Sequence, residues 1–257
     1  MTDTFPAIPE PILLDEVDST NTYARDHFDE LPDGTMVAAR CQTAGRGRRG
    51  RVWLSPPGRN IYATFLFKHL ADGFHSGCLV GVGALACLRE AAPAMNAFLK
   101  WPNDLYVRDR KLAGLLCESA RIERGRISGA VAGIGINVNL TEEELRRIDQ
   151  PATSVRVEEK QEFNIENLTK RLAEIVFRYY ITYLNSADSL LAEWRSANRL
   201  IGRKLSVTDS CGRTHEGIFR AISADGSMIF EEDGQERCFT CGDVRINRDS
   251  VDWNHFI

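Results

Sequence analysis

The change of pattern near Leu200 constrains the fold most. Before it, apolar runs alternate with long amphipathic stretches; after it, only short β-type segments remain. Four of them follow one another from Lys204 onward, at 205–208, 214–222, 228–231 and 237–240. Cys211-Gly212, Asp225-Gly226 and Asp233-Gly234 mark the turns between them. Such a run predicts a small β-barrel behind a larger domain. At about 150 residues per domain, 257 residues hold one large unit and a small one. The division is expected near residue 198, giving 1–198 and 199–257.

The larger part reads as mixed α and β. Three prolines in the first dozen residues suggest an extended lead-in. Asp18-Ser19-Thr20-Asn21 then opens a helix running to about Leu31, capped by a hydroxyl or amide side chain. Strands are expected at 35–40, 60–67, 98–101, 105–107, 112–118 and 128–137, and helices at 74–92, 165–184 and 187–195. The longest stretch without a charged or strongly polar residue is 77–88, stopped by Arg89. A spanning helix needs about 20 residues, so this one reads as a buried helix. The first residues show no basic region followed by an apolar core, which points to a cytoplasmic chain with reduced thiols. A net charge of −4 argues against a dedicated nucleic-acid binder, so any basic patch is local.

That patch exists. Gln42-Thr43-Ala44-Gly45-Arg46-Gly47-Arg48-Arg49-Gly50-Arg51-Val52-Trp53 places four arginines within six residues. GRGRRG formally matches the dinucleotide fingerprint. That motif, however, needs a small apolar turn entering a helix, and VWLSPPG does not read as one. Glycines that admit close approach, with planar guanidinium donors between them, suit a loop closing over phosphate or carboxylate. Such a cluster repels itself when empty, so an anionic ligand should order it. A solvated basic loop is the bland alternative.

Three more segments point the same way. Lys100-Trp101-Pro102-Asn103-Asp104 presents an amide and a carboxylate at a strand end. Lys111 opens an otherwise apolar strand, and a buried ammonium must find an anion. Gly133-Ile134-Gly135-Ile136-Asn137 is a strand whose glycines mark either a ligand's close approach or tight packing.

Taken in order, Ser19-Thr20-Asn21, residues 42–53, 100–106 (KWPNDLY), 109–114 (DRKLAG) and 133–139 (GIGINVN) resemble the biotin–protein ligase family over nearly the whole chain. The resemblance implies an α+β fold. Its catalytic domain is of the biotin/lipoate ligase type, related to class II aminoacyl-tRNA synthetases, with a mixed sheet and flanking helices. An SH3-like barrel follows it. It also implies a two-step reaction. The biotin carboxylate attacks the α-phosphate of ATP to give biotinyl-5′-AMP. The ε-amine of a lysine on a biotin carboxyl carrier domain, such as that of acetyl-CoA carboxylase, then attacks the mixed anhydride and takes the biotinyl group, releasing AMP. Magnesium would accompany the ATP. A lipoate ligase on the same core is the alternative. With about a dozen residues ahead of the first motif, no DNA-binding domain, DNA binding or membrane association is expected. A monomer and a homodimer both stay open.

The resemblance also distributes roles. Ser19, Thr20, Asn21 and Gln42 match positions that read the biotin ureido group, where hydroxyls and amides serve both donors and acceptors. Gly45, Arg46, Gly47 and Arg48 match the loop over the biotin carboxylate and the phosphate, and Gly114 lies beside Lys111 in the biotin site. Lys111 matches the lysine on the carboxylate and α-phosphate. Arg46, Arg48, Arg49, Trp53, Asn103, Lys111 and Asn137 would bind the nucleotide, Trp53 by stacking on adenine. Arg48, Lys111 and Asp104 would carry catalysis, Asp104 by accepting a proton from the incoming lysine. No protein-bound metal is expected. Cys238 and Cys241 form a C-x-x-C that zinc could use with Cys211 and His215, but the spacing of the latter pair is weak and free thiols are the simpler reading.

Overall fold

The computed structural model describes residues 7–70, 73–123, 126–240 and 242–246. A seven-stranded mixed sheet forms the centre, with strands β1 (Ile12–Val17), β2 (Met36–Gln42), β3 (Ile61–Phe67), β4 (Ala97–Lys100), β5 (Asp104–Val107), β6 (Arg110–Glu123) and β7 (Arg126–Ile136). Their spatial order is β1-β2-β3-β7-β6-β5-β4. Only β1 and β2 run parallel, linked by α1 (Thr20–Asp26); every other ladder is antiparallel.

Alternation along the central strands divides two cores. Met36, Ala38, Phe65, Phe67, Ala132 and Ile134 point to the main core, under α2 (Gly73–Ala91), α5 (Ile165–Asn185) and α6 (Ala187–Ala197). Val37, Leu66 and Val131, one residue out of step, point to a smaller core with Ala24 and Phe28 around α1. Covered on both faces, these strands read as continuous apolar runs. Helix α2 is buried nearly all round, and a Cβ at Gly83 would lie 2.6 Å from Val176 of α5. Close helix packing therefore needs glycine there.

Helix α1 covers only part of its face, and the rest is open. Register shows what lines the opening. Tyr62, Gly135, Gly114, Asp104 and Lys100 stand side by side on five adjacent strands, and Thr64 pairs with Gly133, which pairs with Leu116. Directly opposed residues share a face. The row therefore has side chains at its ends and bare backbone in the middle, a trough built by glycine.

A second, antiparallel sheet follows, with strands β8 (Lys204–Thr208), β9 (Thr214–Ile222), β10 (Met228–Glu232), β11 (Gln235–Phe239) and β12 (Asp243–Ile246) in the order β11-β10-β9-β8-β12. Its apolar side, with Leu205, Val207, Phe219, Met228 and Phe230, continues the main core without a break. The buried Trp101 Nε1 donates to Gly226 O at 2.8 Å, joining the two sheets.

The structure departs from the sequence expectation in four places. Ile12–Val17 is a strand, in a stretch with no assignment that follows the proline-rich lead-in; it lies at the sheet edge, where exposed Asp15 and Glu16 blur the alternation. Helix α1 stops at Asp26, and Ser19 sits at its N-cap position without a side-chain cap bond. Two short helices, α3 (Glu142–Leu145) and α4 (Val155–Glu159), fill a stretch with no assignment, each capped by a hydroxyl, Thr141 or Ser154. A fifth strand, β12, pairs with β8. Four residues are too few for a period to show.

Among the described residues no helix is long and apolar enough to cross a membrane. None of their His, Cys, Asp and Glu side chains form a group of three or more that could hold a metal. Cys211 and Cys238 are exposed, and His215 is engaged by Glu232 and Asp209 at 3.1 and 3.2 Å. Cys241 lies outside the described residues.

Candidate functional site

The trough opens into a cleft of about 970 Å³. It is lined by Ser19, Thr20, Asn21 and Gln42 at one end, by Lys100, Asn103, Asp104, Lys111 and Asp243 at the other, and by Arg46, Gly47, Arg48, Arg51 and Trp53 across the top. Its floor is Gly114, Gly133 and Gly135, and Asn137 closes it. Segments separated by more than 200 residues thus meet in one cavity.

The first end is neutral and buried. Thr20 donates its backbone N–H and its hydroxyl to Gln42 Oε1, at 3.0 and 3.2 Å. Gln42 Nε2 donates to Ser55 Oγ at 3.0 Å, and Ser55 Oγ donates to Trp53 O at 3.0 Å. Thr64 Oγ1 lies 2.7 Å from Asn21 Oδ1 and 2.8 Å from Thr20 Oγ1, and its one proton serves one of them. Asn21 lies flat on the floor: a Cβ at Gly133 would meet Asn21 Oδ1 at 2.1 Å.

The second end is ionic. Lys111 Nζ is 2.7 Å from Asp104 Oδ1, so the buried ammonium finds its anion. The Lys111 backbone is clamped by Pro151 and Thr153, which bond its N–H and C=O at 2.9 Å each. Lys100 is only 6% exposed, with its ammonium 4.6 Å from the Tyr106 ring centre. Burial pushes the Lys100 ammonium down to about 8, Asp104 partly offsetting it. Burial alone would raise the Asp243 carboxyl, but Arg51 and Arg49 hold it below its usual value.

The arginine segment folds as a tight hairpin over the trough. Trp53 N–H donates to Gly45 O at 2.9 Å, and Gly47 N–H to Arg51 O at 2.7 Å. The tip, Arg48–Gly50, turns through left-handed backbone at Arg49 (φ 56°) and Gly50 (φ 73°). Its arginines do not simply repel one another, as the sequence suggests. Arg46 holds both oxygens of Glu118, Arg48 donates to Asn103 Oδ1 at 2.7 Å, and Arg49 and Arg51 share Asp243 at 2.9 and 2.8 Å. Protein acceptors stand where ligand oxygens would otherwise be needed.

Trp53 lies in the trough. Its ring would collide with a Cβ at Gly135 (2.3 Å) or Gly114 (3.0 Å), and it sits 5.6 Å from Lys111 Nζ. Asn137 is buried and donates from Nδ2 to Thr153 O at 3.1 Å. The structure therefore gathers Ser19, Thr20, Asn21, Gln42, Arg46, Gly47, Arg48, Trp53, Asn103, Asp104, Lys111, Gly114 and Asn137 around one cavity, while Arg49 points to Asp243. Gly45 is not in the lining; it forms the stem, where a Cβ would strike Trp53 O at 2.5 Å. Sequence reasoning gave no role to Lys100, Asp243, Glu118, Ser55 or Thr64. Only Lys100 carried a signal, as the first residue of the KWPND segment.

The model of the biotin/lipoate A/B protein ligase family matches residues 13–137. The bifunctional ligase/repressor BirA of Escherichia coli is 32% identical over 245 residues, covering 91% of this chain and 73% of that protein. The biotin–[acetyl-CoA-carboxylase] ligase of Mycobacterium tuberculosis is 30% identical over 218 residues, covering 82% and 79%. The fold matches that of an Aquifex aeolicus biotin protein ligase solved with biotin and ATP, with a TM-score of 0.76, 23% identity, and coverage of 91% and 97%.

Proposed function

Because this chain belongs to the biotin/lipoate A/B protein ligase family, we propose that it activates biotin with ATP and passes the biotinyl group to a lysine of a biotin carboxyl carrier domain. The observation that carries this reading is the division of one cleft into a neutral hydrogen-bonding end and a cationic end. Biotin needs the first for its ureido ring and the second for its carboxylate. A dithiolane has no use for Thr20 and Gln42, so lipoate fits less well. A nucleic-acid role gains little from the hairpin, since Arg46, Arg49 and Arg51 are already paired with carboxylates.

On this reading Ser19, Thr20, Asn21 and Gln42 hold the ureido ring. Arg48 and Lys111 draw the carboxylate and the α-phosphate together, so the first step is driven by positioning and by cations aimed at developing charge. Trp53 and Asn137 frame the adenine and ribose. Magnesium travels with the triphosphate. The oxygen donors at hand, Asp104 and Asn103, fit a metal that keeps most of its water and not an all-protein cage. Bound there, it would neutralise phosphate charge.

For the second step, a lysine amine near pKa 10.4 must lose a proton to attack. Asp104 is the nearest carboxylate to Lys111. Once phosphate oxygens engage Lys111, Asp104 is free to take that proton. The five-stranded sheet is read as the SH3-like barrel of a small unit at 199–257, supported by its buried inner row. By its printed name the M. tuberculosis relative acts on acetyl-CoA carboxylase, and a carrier domain of that class is the proposed partner here, met in the cytoplasm. Incubation with ATP and either acid tests the reading. Pyrophosphate release with biotin and not with lipoate is expected; release with neither acid would overturn it.

A further inference from the structure

Glu118 stands outside the cleft lining, yet it holds the base of the arginine hairpin. Arg46 Nη1 and Nη2 bond Glu118 Oε1 and Oε2 at 3.1 and 2.9 Å, filling one fork of the guanidinium. The same Oε2 accepts from Asn21 Nδ2 at 2.8 Å. From Asn21, which can accept from Thr64, the contacts continue to Thr20 Oγ1, whose hydroxyl can then donate to Thr64 while the Thr20 backbone N–H donates to Gln42; Gln42 donates to Ser55, which donates to Trp53 O. Arg46 is the first arginine of the hairpin and Trp53 closes it. The circuit therefore joins both ends of the hairpin by a route around the pocket of Thr20, Asn21 and Gln42.

The arginines are not equivalent in this arrangement. Arg48 reaches Asn103, and Arg49 and Arg51 reach Asp243, at the ionic end of the cleft. Arg46 alone turns toward the neutral end, where its charge is met by Glu118, with Arg25 a further 4.0 Å from the same carboxylate. A carboxylate in that position fixes the hairpin's base without presenting any group to a ligand.

We propose that Glu118 is a positioning residue of the ligase reaction: it anchors Arg46, and through Asn21 it ties the set of the arginine hairpin to the pocket for the biotin ureido ring. Arg46 then serves as an anchor and not as a phosphate contact, leaving Arg48, Arg49 and Arg51 for anions. The inference rests on the ligase reading above. Its consequence is that loss of Glu118 loosens the hairpin over the adenylate and leaves the groups that make the adenylate in place.

The test is a double-variant cycle on the whole chain with Glu118→Ala, Arg46→Ala and the two combined. It reads pyrophosphate release for the first step and labelling of free lysine for escape of biotinyl-5′-AMP. Losing a charge-assisted bidentate pair should raise escape about tenfold in either single variant. The combined variant should show no further rise, because both substitutions remove one contact. In Glu118→Ala, which removes no group that lines the cleft, the kcat of adenylation should stay within about twofold of wild type. Glu118→Gln keeps an acceptor for Asn21 and loses the charge, so its escape rate should fall between wild type and Glu118→Ala; should Glu118→Ala fail to fold, Glu118→Gln decides by the same criterion. Wild-type retention in Glu118→Ala, or additive effects in the combined variant, would overturn the inference while the ligase reading stood. A wild-type chain that releases no pyrophosphate with biotin would overturn both.

Discussion

The two ends of the cleft solve different problems with different chemistry. At the Thr20–Gln42 end, polar groups are neutral, buried and already bonded to one another through Thr64 and Ser55. At the Lys111–Asp104 end, charges are balanced, the largely buried Lys111 by Asp104 and the more exposed hairpin arginines Arg49 and Arg51 by Asp243. A neutral network discriminates by leaving donors or acceptors unmatched when the wrong ligand enters. A balanced ionic cluster can be re-partnered by an anion without a bare charge ever being exposed to a low dielectric. On the proposed reading, the first end sets which acid is bound, and the second sets what is done to it.

Substitutions should separate these two contributions. The largest effect is expected from Lys111→Ala, which removes the buried cation and strands Asp104. Adenylation should fall about 10²–10³-fold in kcat, with biotin affinity changed far less, as single-turnover kinetics and calorimetry would show. Next comes Arg48→Gly at the hairpin tip. Adenylate should still form but escape, raising unselective lysine labelling about tenfold or more; retention equal to wild type would exclude a lid role. Gln42→Ala at the neutral end should raise KM for biotin about tenfold and leave KM for ATP unchanged. A parallel rise in both constants would erase the distinction between the two ends.

The smallest effect lies away from the cleft. Bonds from Glu232 and Asp209 raise the His215 imidazole above its ordinary value of 6.5. A raised folded value means that the charged form contributes stability, fully present below 6.5 and lost as the pH rises through the folded value. The melting-temperature gap between wild type and His215→Ala should therefore be widest in acid and narrow as the pH rises. A gap that does not change with pH would show that packing alone acts there.

Much of the site is legible in the sequence because its groups lie in short segments. Arg48, Trp53, Asn103, Asp104 and Lys111 fall within three runs whose residue types already suggest anion chemistry. The glycines at 114, 133 and 135 are visible too, but their meaning is not. Only the register, which puts Gly135 beside Gly114 under the Trp53 ring, shows them to be a floor. What stays hidden is pairing across long separations. Arg46 meets Glu118 across 72 residues, and Arg49 meets Asp243 across 194. Nothing local to Glu118 or Asp243 announces either contact. The edge strand Ile12–Val17 is missed for a related reason: its exposed acidic residues belong to the rim, and the partner that orders it, β2, lies some 25 residues further on in register.

The central claim is that both ends of the cleft serve one reaction, ending in a biotinylated carrier. Mass spectrometry of a carboxyl carrier domain, incubated with the purified chain, ATP and an equimolar mixture of biotin and lipoate, tests it most directly. One biotinyl addition at a single lysine is predicted. A lipoyl addition, or no addition while pyrophosphate is released, would contradict it.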